Sequence, residues 1–197
     1  VSPDGRTLAL SAREGSDEVA IYVRALDADL GFRKLAGTET GLFPAFSPDG
    51  EWIAFRRNSD RTLVKIPVGG GGAVTVVPTG KVDPYLPQWG RPDEIVFTGP
   101  TGVFRVPAAG GPVVPVPKVT SAELFPLPDG AGLLFAANNQ VSYYDFATDS
   151  VSVVHPAGLS PVYAPSGHLL YVSPEGGLFA VAFDAATHRV TGTPVRV

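Results

Sequence analysis

Residues 47–55 read Ser47-Pro48-Asp49-Gly50-Glu51-Trp52-Ile53-Ala54-Phe55. The first four are a turn with a mechanism: Pro48 presets φ, Asp49 can bond neighbouring backbone, and Gly50 accepts positive φ. The apolar run that follows is short and carries aromatic and β-branched side chains, so it reads as a strand. The unit recurs along the chain. Ser2-Pro3-Asp4-Gly5 precedes Thr7-Leu8-Ala9-Leu10, and a degenerate Arg91-Pro92-Asp93 precedes Glu94-Ile95-Val96-Phe97. Leu127-Pro128-Asp129-Gly130 precedes Leu133-Leu134-Phe135, and Ala164-Pro165-Ser166-Gly167 precedes Leu169-Leu170-Tyr171. The turn prolines stand at 3, 48, 92, 128 and 165, at intervals of 45, 44, 36 and 37 residues.

Further strands keep phase with each copy. A third strand is expected at Ala20-Ile21-Tyr22-Val23, Leu63-Val64-Lys65-Ile66, Val103-Phe104-Arg105-Val106, Val141-Ser142-Tyr143-Tyr144 and Leu178-Phe179-Ala180-Val181. A fourth is expected at Val74-Thr75-Val76-Val77, Val113-Val114-Pro115-Val116, Val151-Ser152-Val153-Val154 and the closing residues 190–197. The strand leading into the turn shows Pro44-Ala45-Phe46, Pro87-Gln88-Trp89 and Pro161-Val162-Tyr163, while the fourth copy has Leu124 where the proline would fall. Four short strands per roughly 40 residues predict an all-β fold, a β-propeller of four-stranded antiparallel blades. Regular short strands also suit a β-sandwich, but five phased copies favour the propeller. The reading is one propeller region over 1–197, with blades at 1–41, 42–84, 85–121, 122–158 and 159–197. Val1 falls at the last residue of a first strand and no spare strand is visible to close a ring, so an arc of a larger ring is expected, excised from a longer chain.

Composition narrows the function. Gly 23 and Pro 20 among 197 residues argue against long helices, and 44% hydrophobic residues argue against disorder. With 15 basic and 19 acidic residues and no basic run beyond Arg56-Arg57, nucleic-acid binding is not expected. The absence of cysteine excludes disulfides, thiol nucleophiles and Cys-ligated zinc. No apolar run approaches the ~18 residues that span a bilayer, so this segment is not expected to insert in a membrane.

Residues 47–55 resemble the repeat of TolB-type (WD-like) propellers, strongly in blade two and weakly in blade three. More narrowly, residues 35–55, 102–111 and 167–197 resemble the C-terminal propeller of bacterial receptor-type serine/threonine protein kinases. That resemblance implies an extracytoplasmic or periplasmic sensor or scaffold without chemistry of its own, attached to a kinase and a membrane span.

Catalytic motifs are missing. Val19-Ala20-Ile21 is followed by Tyr22 where a kinase strand needs Lys, and Asp145-Phe146-Ala147 lacks the glycine of a metal loop; both read as strand residues. Gly69-Gly70-Gly71-Gly72 precedes a strand, not the helix a phosphate cradle requires. No Gly-x-Ser-x-Gly elbow is present. His155, His168 and His188 lie in three different contexts, so no zinc site is expected. The innermost strands carry Phe46, Trp89, Leu127 and Tyr163 where a glycosidase needs paired carboxylates. No cofactor or metal is expected. What remains is recognition of a protein or small-molecule ligand, for which Tyr85, Trp89, Arg56, Arg57 and Arg91 are the candidate binding residues, as aromatics and arginines near strand ends. Against that stands a plainer reading, with Trp89 in the core and Arg56-Arg57 a solvated strand end. The expected function is a non-catalytic TolB-like binding module. The alternatives are a receptor-kinase sensor and the gating propeller of a prolyl-oligopeptidase-like hydrolase.

Overall fold

A computed structural model describes residues 1–28, 31–121 and 123–197 of the chain. Among them every regular element is a strand. The first sheet holds β1 (Thr7–Ala12), β2 (Ala20–Ala25) and β3 (Arg33–Lys34). The second holds β4 (Gly41–Phe46), β5 (Trp52–Arg57), β6 (Thr62–Pro67) and β7 (Val74–Val77). The third holds β8 (Tyr85–Arg91), β9 (Glu94–Gly99), β10 (Gly102–Pro107) and β11 (Val114–Val116). The fourth holds β12 (Leu124–Pro126), β13 (Gly132–Ala137), β14 (Gln140–Asp145) and β15 (Ser150–His155). The last holds β16 (Leu159–Ala164), β17 (His168–Val172), β18 (Leu178–Asp184), β19 (Arg189–Val190) and β20 (Val195–Arg196). In each sheet the strands follow one another in chain order as an antiparallel meander, except that β20 pairs with β18. The chain divides within β11 into two compact units, Val1–Pro115 and Val116–Val197.

The turn chemistry explains the repeat. The Ser47 hydroxyl donates to Asp49 Oδ1 at 2.5 Å and accepts the Trp52 N–H at 2.9 Å, while Asp49 Oδ1 accepts the Glu51 N–H at 3.0 Å. Gly50, at φ +75°, donates its N–H to the Ser47 carbonyl. Ser2, Asp4 and Gly5 repeat every one of these bonds. In the fourth copy Leu127 replaces Ser, so the hydroxyl bonds are lost, while Asp129 still accepts the Ala131 N–H and Gly130 still donates to the Leu127 carbonyl. The aspartates of these turns therefore serve the backbone.

Within the first unit β5 is covered on both faces, which is why its sequence is continuously apolar from Trp52 to Phe55 instead of alternating. Ile53 and Phe55 pack with Ile21, Val23 and Leu35 of the first sheet, and Ala54 packs with Ile95, Phe97 and Trp89 of the third. Each such large side chain, wholly removed from water, contributes roughly 1.5–3 kcal/mol. The second unit repeats the scheme, with Leu127, Leu134 and Val141 set against Leu169, Val181 and Phe183.

Two features depart from a regular ladder. The first strands β4, β8 and β16 each shift register at a residue that precedes proline and has positive φ: Phe43 (57°), Leu86 (44°) and Ser160 (49°). The left-handed region costs a non-glycine residue about 1–2 kcal/mol, so a thrice-repeated bulge is held by the fold around it. The expected closing strand over 190–197 is instead two short strands, both on β18: β19 opposite Phe183 and Asp184, β20 opposite Phe179 and Ala180. Pro194, which has no N–H to donate, lies in the break between them.

Candidate functional site

The candidate residues separate by strand position. Tyr85 begins β8 opposite Thr98, whereas Arg91 ends it opposite Glu94. Arg91, itself exposed, lies 3.8 Å from both the exposed Asp93 and the largely buried Glu94. Trp89 is buried with Ala54 and Ile95 and donates its indole N–H to the Ala45 carbonyl at 3.1 Å, which makes it the pin between the second and third sheets. Arg57 is half-buried and pairs with Asp60 at 3.5 Å.

Arg56 is not a solvated strand end. It is 4% exposed, and its partner Asp83 lies on the loop before β8. Nε and Nη2 of Arg56 donate to Asp83 Oδ1 at 3.2 and 2.9 Å, and Nη1 donates to the Asn58 side-chain carbonyl. Its guanidinium also covers the Tyr85 ring at 4.4 Å, and the Tyr85 hydroxyl donates to Asp83 Oδ2 at 3.1 Å. Arg61 reaches the same oxygen at 3.9 Å. Burial pushes the Asp83 carboxyl up, but hydrogen bonds from Arg56 and Tyr85 and the charges of Arg56 and Arg61 outweigh it, so the pKa lies below 3.8. The carboxylate is ionised and anchors three side chains at once.

This cluster fixes an uneven surface. Tyr85 and Leu86 are each 37% exposed, and Phe43, at the equivalent bulge of the adjacent first strand, is 39% exposed. Beside Asp83 a cavity of about 310 Å³ is lined by Arg61, Thr79, Lys81 and Val82. The structure thus joins Arg56 and Tyr85 and leaves Trp89, Arg57 and Arg91 elsewhere. It adds Phe43, Leu86, Asp83, Arg61 and Lys81, which sequence reading missed. The available signal was a bulky residue directly before the first-strand proline, in Phe43-Pro44 and Leu86-Pro87.

The other motifs play structural parts. Asp145 ends β14, while Phe146 and Ala147 lie in the following turn and not in a strand; Asp145 Oδ1 accepts the N–H groups of Ala147 and Thr148. Among the described residues no group of three or more His, Asp or Glu is arranged to hold a metal ion.

Successive four-stranded antiparallel meanders with buried central strands define a β-propeller. The solved structures it is similar to include two of TolB. TolB from Acinetobacter baumannii matches with a TM-score of 0.66 and 20% identity over 92% of this chain and 50% of that one. Putative TolB from Agrobacterium tumefaciens matches with a TM-score of 0.66 and 17% identity over 99% and 73%. A puromycin-hydrolyzing peptidase of Mycobacterium tuberculosis matches with a TM-score of 0.61 and 19% identity over 89% and 33%. The chain spans half the length of the Acinetobacter protein. No family model and no curated protein matches it. Identities this low establish the fold and leave function to the site.

Proposed function

We propose that the chain is a non-catalytic TolB-like propeller module that binds a protein segment through Phe43, Tyr85 and Leu86. The observation that carries this is the exposure of three large apolar side chains at two strained bulges, beside a cavity edged by Arg61 and Lys81. Rigid exposed aromatics with an arginine beside them are the usual anchors of an interface, and strain held by the surrounding fold clusters at ligand-binding positions. Arg61 and Lys81 select for acidic side chains in the bound segment. The module belongs to a larger bacterial protein and works outside the cytoplasm, a reading supported by the TolB-type fold and by the receptor-kinase resemblance of residues 35–55, 102–111 and 167–197. On that resemblance it is the sensor half of a receptor kinase, with the five sheets acting as the blades of one propeller region. The peptidase likeness favours a second reading, a propeller that gates a hydrolase domain. Kinase motifs upstream or hydrolase motifs downstream in the parent gene separate the two.

Selection of phage-displayed peptides on the intact chain tests the binding surface. Enriched peptides are expected to combine acidic and apolar residues and to lose at least about tenfold in affinity on Leu86→Asp or Arg61→Glu, since 1.4 kcal/mol is tenfold. Peptides indifferent to both substitutions overturn the assignment.

A further inference from the structure

The second unit uses one hairpin twice. Asp145-Phe146-Ala147-Thr148-Asp149 joins β14 to β15, and Asp184-Ala185-Ala186-Thr187-His188 joins β18 to β19. In each, the first Asp accepts two backbone N–H groups, at 2.8 and 2.9 Å in one and 2.9 and 3.3 Å in the other. In each, the fifth residue has positive φ: 49° at Asp149 and 55° at His188. The second copy carries its imidazole onto the neighbouring sheet, where His188 stacks on Tyr143 with ring centroids 3.8 Å apart. Tyr143 in turn lies across Gly132, where a Cβ would come within 2.6 Å of the ring. Tyr143 is 3% exposed, and neither its hydroxyl nor His188 Nε2 has a hydrogen-bond partner.

These two rings help line a cavity of about 450 Å³, whose wall also includes Asp145, Ser150, Ser152, Thr187 and Arg189. That volume suits a small molecule. Asp145 and Arg189 face the same cavity without forming an ion pair with each other, and Arg189 has no ion-pair partner among the described residues. Backbone hydrogen bonds from Thr148 and Ala147 hold the Asp145 carboxyl below its ordinary range, so it stays a carboxylate. A simple anion entering here meets Asp145, a simple cation meets Arg189, and an uncharged ligand leaves Arg189 without a counter-charge. A molecule carrying both charges satisfies both, and the hydroxyls of Ser150, Ser152 and Thr187 add donors and acceptors.

We propose that this cavity binds a small zwitterion of the α-amino acid class, with its carboxylate on Arg189 and its ammonium on Asp145. Calorimetric or NMR titration of the intact chain with L-alanine tests this, with acetate, ethylamine and glucose as separate probes. The expected result is saturable binding of L-alanine, with each of the other three at least about tenfold weaker because it engages one charge or none. Arg189→Gln and Asp145→Asn are each expected to weaken alanine binding by about tenfold or more, and Arg189→Lys to restore part of it. Asparagine keeps the side-chain oxygen that accepts the Ala147 and Thr148 amides, and thermal unfolding of each variant checks that the fold is intact. Because the first titration needs no variant, the test stands even if one fails to fold. Absence of saturable alanine binding, equal binding of acetate, ethylamine or glucose, or indifference to Arg189→Gln overturns the proposal.

Discussion

Replacing Asp83 by alanine removes both hydrogen bonds to the Arg56 guanidinium and strands a cation that is only 4% exposed. Breaking a buried pair by deleting one partner costs about 3–5 kcal/mol. Two features reduce that here: the Asp83 side chain is 18% exposed, and Arg56 keeps Asn58 and the face of Tyr85. A cation over an aromatic ring retains about 0.5–2 kcal/mol, so the expected loss is about 2 kcal/mol. Both tryptophans, Trp52 and Trp89, lie in the first unit, so their fluorescence follows the unit that holds the ion pair. For a chain of this size a urea slope of roughly 2–3 kcal/mol/M turns the loss into a midpoint lower by just under about 1 M. Adding Arg56→Met to Asp83→Ala is expected to recover most of it, because an apolar side chain then fills the site and no buried charge is left. The same pair predicts the pH dependence. The folded pKa of Asp83 lies below 3.8, so its contribution is complete above that value and is lost as the pH falls through the lower folded value. The reasoning is refuted by a midpoint shift under about 0.2 M for Asp83→Ala, or by a further loss on adding Arg56→Met.

Three further predictions test other parts of the fold. Gly132→Ala drives a methyl group into the Tyr144 carbonyl and to 2.6 Å from the Tyr143 ring, and overpacking of this kind is expected to cost about 3 kcal/mol in urea unfolding. Ser47→Ala removes the hydroxyl that accepts the Trp52 N–H and is the largest influence holding Asp49 down. It is expected to destabilise by about 1–2 kcal/mol, with the Asp49 carboxyl pKa rising toward 3.8 in an NMR titration. Leu86→Gly relieves a φ of +44° at a residue that is 37% exposed. Stability measured by urea unfolding is expected to change by less than about 1 kcal/mol, since relief offsets added chain entropy and lost packing, while peptide binding disappears.

The repeat, the turn chemistry and the central strands were determined by sequence alone, because each rests on neighbours a few residues apart. Pro48, Asp49 and Gly50 form their turn from local bonds, and an apolar run such as Ile53-Ala54-Phe55 has few ways to leave water. The fate of the polar and aromatic candidates was decided by tertiary structure. Arg56 and Arg57 are adjacent in the chain, yet one is buried against Asp83 and the other lies half-buried against Asp60, because successive strand residues point to opposite faces and only one face meets the β8 loop. Asp83 is 27 residues from Arg56, a separation at which no local pattern fixes a partner. The bulges at Phe43 and Leu86 were equally out of reach, since positive φ before proline opposes local preference and persists only where the surrounding fold enforces it.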